Sequence, residues 1–162
     1  MVFKITTTRQ YIDKSGNKEF KVSRGKSCNA LVLCTGNSCR SIMAEALINH
    51  LTQGRIQAVS AGSDPAGYVH PKSLDTLERH GVPVDAPRSK SWDEFADTSF
   101  DYVITVCDQA AGETCPIFPG APKKLHWSTP DPAKATGTNE EIEAAFDEAF
   151  ALLKARIEGE LL

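Results

Sequence analysis

No run of apolar residues in this sequence approaches the length of a membrane span. The first residues lack the basic-then-apolar pattern of a secretory leader. A basic surplus is missing as well: 18 Lys and Arg face 21 Asp and Glu, a net charge of −3. No global positive field draws nucleic acid or an anionic membrane, so a small anion needs a local site. Together these absences point to a cytoplasmic protein that binds neither membrane nor nucleic acid. Cysteine is present at Cys28, Cys34, Cys39, Cys107 and Cys115, but no Cys-x-x-Cys pair occurs and no four ligands fall at zinc spacing. His50, His70, His80 and His126 add no metal pattern. No bound metal or cofactor is expected. In a reducing compartment the cysteines are thiols unless they carry redox chemistry.

What is present suits one compact domain. The chain has 162 residues, 41% apolar and 24% charged, enough to bury a core without disulfides or metal. Residues 1–27 stand apart as a polar N-terminal extension rich in Lys, Thr and Ser, with a turn signal at Asp13-Lys14-Ser15-Gly16-Asn17. Two readings of it stay open: a hairpin pairing Phe3–Thr7 with Glu19–Val22, or a disordered tail. Residues 28–162 form the domain proper.

From Asn29 the pattern is regular. Ala30-Leu31-Val32-Leu33 reads as a buried strand, and Cys34 to Arg40 as a polar loop. A helix follows over Ser41–Leu51, with Ile42, Met43, Ala46, Leu47 and Leu51 near one face. Gln57–Ser60, Tyr102–Val106 and Leu125–Trp127 read as three more strands. Pro71 opens a second helix and Gly81 ends it. Thr138-Asn139-Glu140-Glu141 has the form of a capping box. The helix behind it carries Ile142, Ala145, Phe146, Ala149, Phe150, Leu153 and Ile157 on its buried side. This alternation predicts a single α/β domain with a central four-stranded parallel sheet and helices on both faces. Right-handed crossovers put the loops after the strands along one edge, where ligands bind. Cys34 and Cys107 both end strands, so they are expected to be neighbours.

The central signal is Cys34-Thr35-Gly36-Asn37-Ser38-Cys39-Arg40-Ser41, between a strand and a helix. A loop that wraps into a helix N-terminus turns several backbone N–H groups inward. Gly36 lets the backbone curl closely, and Asn37 tolerates left-handed dihedrals. Arg40 brings a charged planar fork that matches two oxygens of a tetrahedral anion. The helix field and Arg40 favour a thiolate at Cys34, and Ser41 is placed to donate to its sulfur. The expected assembly is a cradle for a phosphate-like dianion, made by Thr35 through Ser41, with Cys34 as nucleophile underneath.

Cys34-x5-Arg40-Ser41 after an apolar strand resembles the low-molecular-weight tyrosine phosphatase family. The string CTGNSCRS, followed by Met43-Ala44-Glu45-Ala46, is similar to arsenate reductases built on that fold. Val59-Ser60-Ala61-Gly62, Thr105-Val106-Cys107, Cys115-Pro116 and His126-Trp127 also look like that family, and the likeness runs from Asn29 to the C-terminus. It implies the phosphatase fold and reduction of arsenate to arsenite, with phosphate or sulfate as mimics of the substrate.

In the implied mechanism Cys34 forms an arseno adduct, Cys107 attacks Cys34 as arsenite leaves, and Cys115 moves the disulfide to Cys107–Cys115. Thioredoxin, or glutaredoxin with glutathione, then resets the enzyme. The polar stretch between Cys107 and Cys115 includes Gly112 and could serve as a redox-driven switch. Cys28 and Cys39 are expected to take no redox part, with Cys39 turned into helix packing.

Asp131-Pro132 matches the position of the phosphatase general acid, although Ala133 follows where phosphatases usually carry an aromatic residue. Asn37, Glu45 and Ser60 match a potassium site of some reductases. Lys90-Ser91 stands where that site needs an acidic residue, so a lysine ammonium paired with Glu45 is expected to replace the cation. The alternatives are a low-molecular-weight tyrosine phosphatase acting through a Cys34 phosphoenzyme, and a non-catalytic sensor using the Cys107–Cys115 disulfide. His126-Trp127 is read as packing.

Overall fold

The structure is a computed structural model; it describes residues 28–108 and 118–162, and the backbone of 7–12 and 18–24. Cys115 and the proposed switch beyond Asp108 lie outside the described residues. In the N-terminal extension, β1 (Thr7–Ile12) pairs antiparallel with β2 (Lys18–Arg24), so the first strand begins where the expected one, Phe3–Thr7, ends. No helix among the described residues is long and apolar enough to cross a membrane.

The domain is built on four parallel strands: β3 (Cys28–Cys34), β4 (Ile56–Gly62), β5 (Tyr102–Thr105) and β6 (Lys123–His126). Their order is β4-β3-β5-β6, as the predicted α/β architecture requires. β3 is central, which explains its unbroken apolar run: alternate side chains enter opposite cores. Ala30 and Val32 join one hydrophobic cluster and Leu31 and Leu33 the other. β6 is an edge strand, and its exposed Lys123 and Lys124 discourage further strand pairing.

Three helices share the first cluster: α1 (Arg40–Leu51), α2 (Pro71–Arg79) and α3 (Asn139–Glu160). The other face is covered by a 3-10 helix, Trp92–Phe95, together with Phe100 and Phe118. The helix α1 is buried on more sides than the sequence pattern suggested: Ser41, Ile42, Met43, Ala44, Ala46, Leu47 and Ile48 are all covered. The reason is its position, with β3 and β4 on one side and α2 and α3 on the other. Its small residues, Ser41, Ala44 and Ala46, fit that confinement.

The chain leaves β3 toward β4 on one side and returns to β5 on the other. The ends of β3 and β5 therefore flank a topological switch point, where open α/β sheets hold ligands. The register pairs Leu33 with Thr105 and Cys34 with Gly62, so the Cys34 loop and the Cys107 turn emerge at the same edge.

Helix ends follow local chemistry. Pro71 is the first residue of α2, and the His70 ring nitrogen accepts the Lys72 N–H at 3.1 Å. Thr138 caps α3, its hydroxyl accepting the Glu141 N–H at 3.2 Å. Thr138→Ala removes that bond. The substitution is expected to cost about 1 kcal/mol, read as a lower urea midpoint with an unchanged slope.

Candidate active site

Between Cys34 and Arg40 the loop is held from outside by its carbonyl groups. Thr35 O accepts from Asp64 N–H at 3.0 Å, Gly36 O from Ala66 N–H at 2.9 Å, and Ser38 O from His70 N–H at 3.0 Å. The Ser89 hydroxyl donates to Gly36 O at 3.2 Å, and the Ser73 hydroxyl to Ser38 O at 3.3 Å. With its carbonyls turned outward, the loop has its N–H groups available for its concave side. Cys39 precedes α1 without a side-chain cap, so the first-turn N–H groups of that helix join the same supply.

The strained position is Asn37, not Gly36. Asn37 has φ 46° and is fully buried. Its Nδ2 donates to Ser41 Oγ at 2.8 Å and Ser60 Oγ at 3.0 Å, and its Oδ1 accepts Lys90 N–H at 3.0 Å. Gly36 sits outside the left-handed region, with room for a side chain. The glycine the loop needs is Gly62 on β4. A Cβ there would collide with Thr35 O and stand 2.9 Å from Cys34 O. Its glycine character is the one signal in the sequence that marked this contact.

Ser41 is also turned away from the expected role. Its hydroxyl accepts from Asn37, and no bond to Cys34 occurs among the described contacts. Cys39 is buried in the helix-side cluster as expected, and burial pushes its thiol up. Of the predicted cradle, Thr35, Gly36 and Arg40 line a cavity of about 530 Å³. Asn37, Cys39 and Ser41 support it from behind.

Arg40 opens α1 and faces this cavity. Its Nη1 donates to Thr129 O at 3.0 Å, and its Nη2 lies 3.6 Å from Asp131 Oδ2. Its Nε is buried with no hydrogen-bond partner among the described residues. A largely covered guanidinium with donors still uncommitted among the described residues is suited to an oxyanion. Asp131 lines the same cavity and caps a 3-10 helix, Pro132–Lys134, its Oδ1 accepting Ala133 N–H at 3.0 Å. Lys134 adds a second cation at the rim.

Cys34 and Cys107 meet, as their strand ends predicted: their thiols hydrogen-bond, and both are buried. The Thr35 hydroxyl is 3.6 Å from the Cys107 sulfur. This contact corrects the expected thiolate at Cys34. The hydrogen bond with Cys107 and burial push the Cys34 thiol up, and they outweigh the Arg40 charge and the Gly36 N–H that pull it down.

Lys90 and Glu45, expected to pair, form no ion pair among the described contacts; each feels the other's charge only from beyond contact distance. Burial pushes the Glu45 carboxyl up, while the Ser60 hydroxyl, donating at 2.8 Å, and the Lys90 charge pull it down. Lys90 Nζ itself donates to Arg88 O at 3.0 Å. No cluster of three or more metal-ligating side chains occurs among the described residues. The contact sequence reasoning missed is at His126, read as packing: it bonds Thr105 at 2.7 Å and Asp108 at 2.9 Å, on both sides of Cys107.

Residues 29–161 match the low molecular weight phosphotyrosine protein phosphatase family. The chain belongs to that family. An arsenate reductase of Shouchella clausii is 36% identical over 125 residues, covering 77% of this chain and 88% of the relative. A solved arsenate reductase in its phosphate-binding state is similar with a TM-score of 0.65 at 26% identity, over 82% of this chain and 95% of that one. The tyrosine phosphatase Wzb of Escherichia coli, in complex with sulphate, shares the fold with a TM-score of 0.66 at 22% identity, over 82% and 95%.

Gly62→Ala tests the cradle's rear wall. It is expected to destabilise the protein by about 1–3 kcal/mol through overpacking. It should also weaken phosphate binding measured by calorimetry, because the Thr35 and Cys34 carbonyls must move.

Proposed function

We propose that this chain reduces arsenate to arsenite. The observation that carries the reading is the Cys107 thiol, which lines the cavity beside Arg40 and is bonded to Cys34. A hydrolase needs one sulfur there. A two-electron reduction needs two. The relatives named as arsenate reductases add weight.

The oxyanion enters between Arg40, Lys134 and the loop N–H groups. It displaces the Cys107 sulfur from Cys34, which removes the largest influence raising the Cys34 thiol. Arg40 and the Gly36 N–H then favour the thiolate. The Cys34 thiolate attacks arsenic, the As–O bond to an arsenate hydroxyl breaks, and that oxygen leaves as water after taking a proton from the Asp131 carboxyl in its acid form. Cys107, as a thiolate, attacks the Cys34 sulfur. The S–S bond forms, the S–As bond breaks, and its electron pair stays on arsenic, which leaves as arsenite. Cys115 attacks Cys107, frees Cys34, and leaves a Cys107–Cys115 disulfide for thioredoxin, or glutaredoxin with glutathione, to reduce.

A second reading is hydrolysis of phosphate monoesters through a Cys34 phosphoenzyme. It is favoured by Asp131, which lines the cavity 3.6 Å from Arg40, where a general acid would stand.

Cys107→Ser separates the two. Arsenate-dependent NADPH consumption with thioredoxin and thioredoxin reductase should be abolished, while aryl phosphate hydrolysis persists. Turnover of arsenate by that variant would sink the reductase mechanism. The Lys90 charge beside Glu45 leads to a second expectation: exchanging sodium for potassium leaves kcat/KM for arsenate unchanged. A large gain in potassium would show that Lys90 does not replace the cation.

A further inference from the structure

His126 ends β6 and pairs in register with Thr105 at the end of β5. Both of its ring nitrogens are engaged. Nδ1 lies 2.7 Å from Thr105 Oγ1, and Nε2 lies 2.9 Å from Asp108 Oδ1. An imidazole held at both nitrogens has a fixed ring orientation. With Nε2–H donating to the carboxylate, Nδ1 accepts the Thr105 hydroxyl. Asp108 is bonded by Ser128 as well as by His126, and these two contacts hold its carboxyl below the usual carboxylate range.

Thr105 and Asp108 bracket Cys107. Upstream of the cysteine the main chain is fixed by the sheet and its extension. Val106 N–H donates to Leu33 O at 3.0 Å, Thr129 N–H to Val106 O at 3.1 Å, and Trp127 N–H to Thr105 O at 2.8 Å. Strand β5 has ended at Thr105. Past Val106, the Asp108 carboxylate is held by His126 and Ser128. His126 joins the two sides, gripping the last residue of the strand with one nitrogen and the residue after Cys107 with the other.

We infer that His126, acting through Asp108 and with Ser128, is a positioning residue that holds Cys107 in line for its attack on Cys34. The role rests on the disulfide reading proposed above. In that step the Cys107 thiolate forms the S–S bond, the S–As bond breaks with its electron pair going to arsenic, and arsenic falls from the pentavalent to the trivalent state. Displacement at sulfur needs the attacking sulfur, the Cys34 sulfur and arsenic near one line. Small misplacements of the attacker are costly. The preceding attack of Cys34 on the oxyanion uses Arg40 and the loop, none of whose residues His126 contacts among the described bonds. Asp108 and Ser128 line the cavity with Arg40, but His126 itself does not, so its effect falls chiefly on the redox step.

The test uses the full chain carrying Cys115→Ser, so that the first disulfide accumulates. Reduced protein is mixed with arsenate and quenched with an alkylating agent, and Cys34–Cys107 disulfide is counted by mass spectrometry. Adding His126→Ala should slow disulfide formation by about tenfold or more, with aryl phosphate hydrolysis retained. His126→Gln, whose amide can still donate to Asp108, should recover most of the rate. Should His126→Ala fail to fold, Ser128→Ala, which removes the other bond to Asp108, should slow the same step. Equal disulfide rates with and without the His126 side chain would overturn the role. So would a parallel fall in hydrolysis, or no recovery in His126→Gln. If the Cys115→Ser protein with His126 intact forms no disulfide with arsenate, the disulfide reading itself fails and the role goes with it.

Discussion

The site depends on Asn37. A non-glycine residue at φ 46° is uncommon and persists only where its surroundings hold it. Here the side chain ties together three parts of the fold: Ser41 on α1, Ser60 on β4, and the main chain at Lys90. Ser60 passes the connection on to Glu45, one turn along α1. If the loop relaxed out of this conformation, its carbonyls would leave their outer partners and its N–H groups would lose their common direction. The stored strain is offset by a fully bonded, fully buried amide.

Around that lock the charges are balanced rather than simply positive. Arg40 and Lys134 face Asp108 and Asp131 across one cavity. An arsenate dianion meets two cations there. Arsenite is uncharged near neutral pH and loses that hold, so the charge change of the reaction itself favours product release. The buried sulfur pair adds a second economy. While Cys107 stays bonded to Cys34, that bond and burial push the nucleophile's thiol up. In the reaction proposed above, an incoming oxyanion takes the place of that bond.

Much of the domain was legible in the sequence because its signals are local. The apolar run at Ala30–Leu33, Pro71 at the start of α2, Gly81 after it and Thr138 before α3 each report a short-range constraint, and all were found at those places. The all-round burial of α1 was not legible, since it comes from being enclosed by the sheet and two helices. Gly36 and Asn37 were both marked as loop formers, but only backbone geometry could show that the strain falls on Asn37 while the tight contact belongs to Gly62. His126 looked like packing because its partners, Thr105 and Asp108, are distant in sequence.

By itself, the sequence determined the α/β alternation, the anion loop between β3 and α1, and the pairing of Cys34 with Arg40. These follow from periodicity and spacing within a few dozen residues. Tertiary structure alone decided the state of the Cys34 thiol, the direction of the Asn37 and Ser41 side chains, and the clasp of His126 around Cys107. Each of those depends on groups brought together by strand register and sheet order. A pKa or a hydrogen-bond partner is set by what lies within a few ångströms, whatever its distance along the chain.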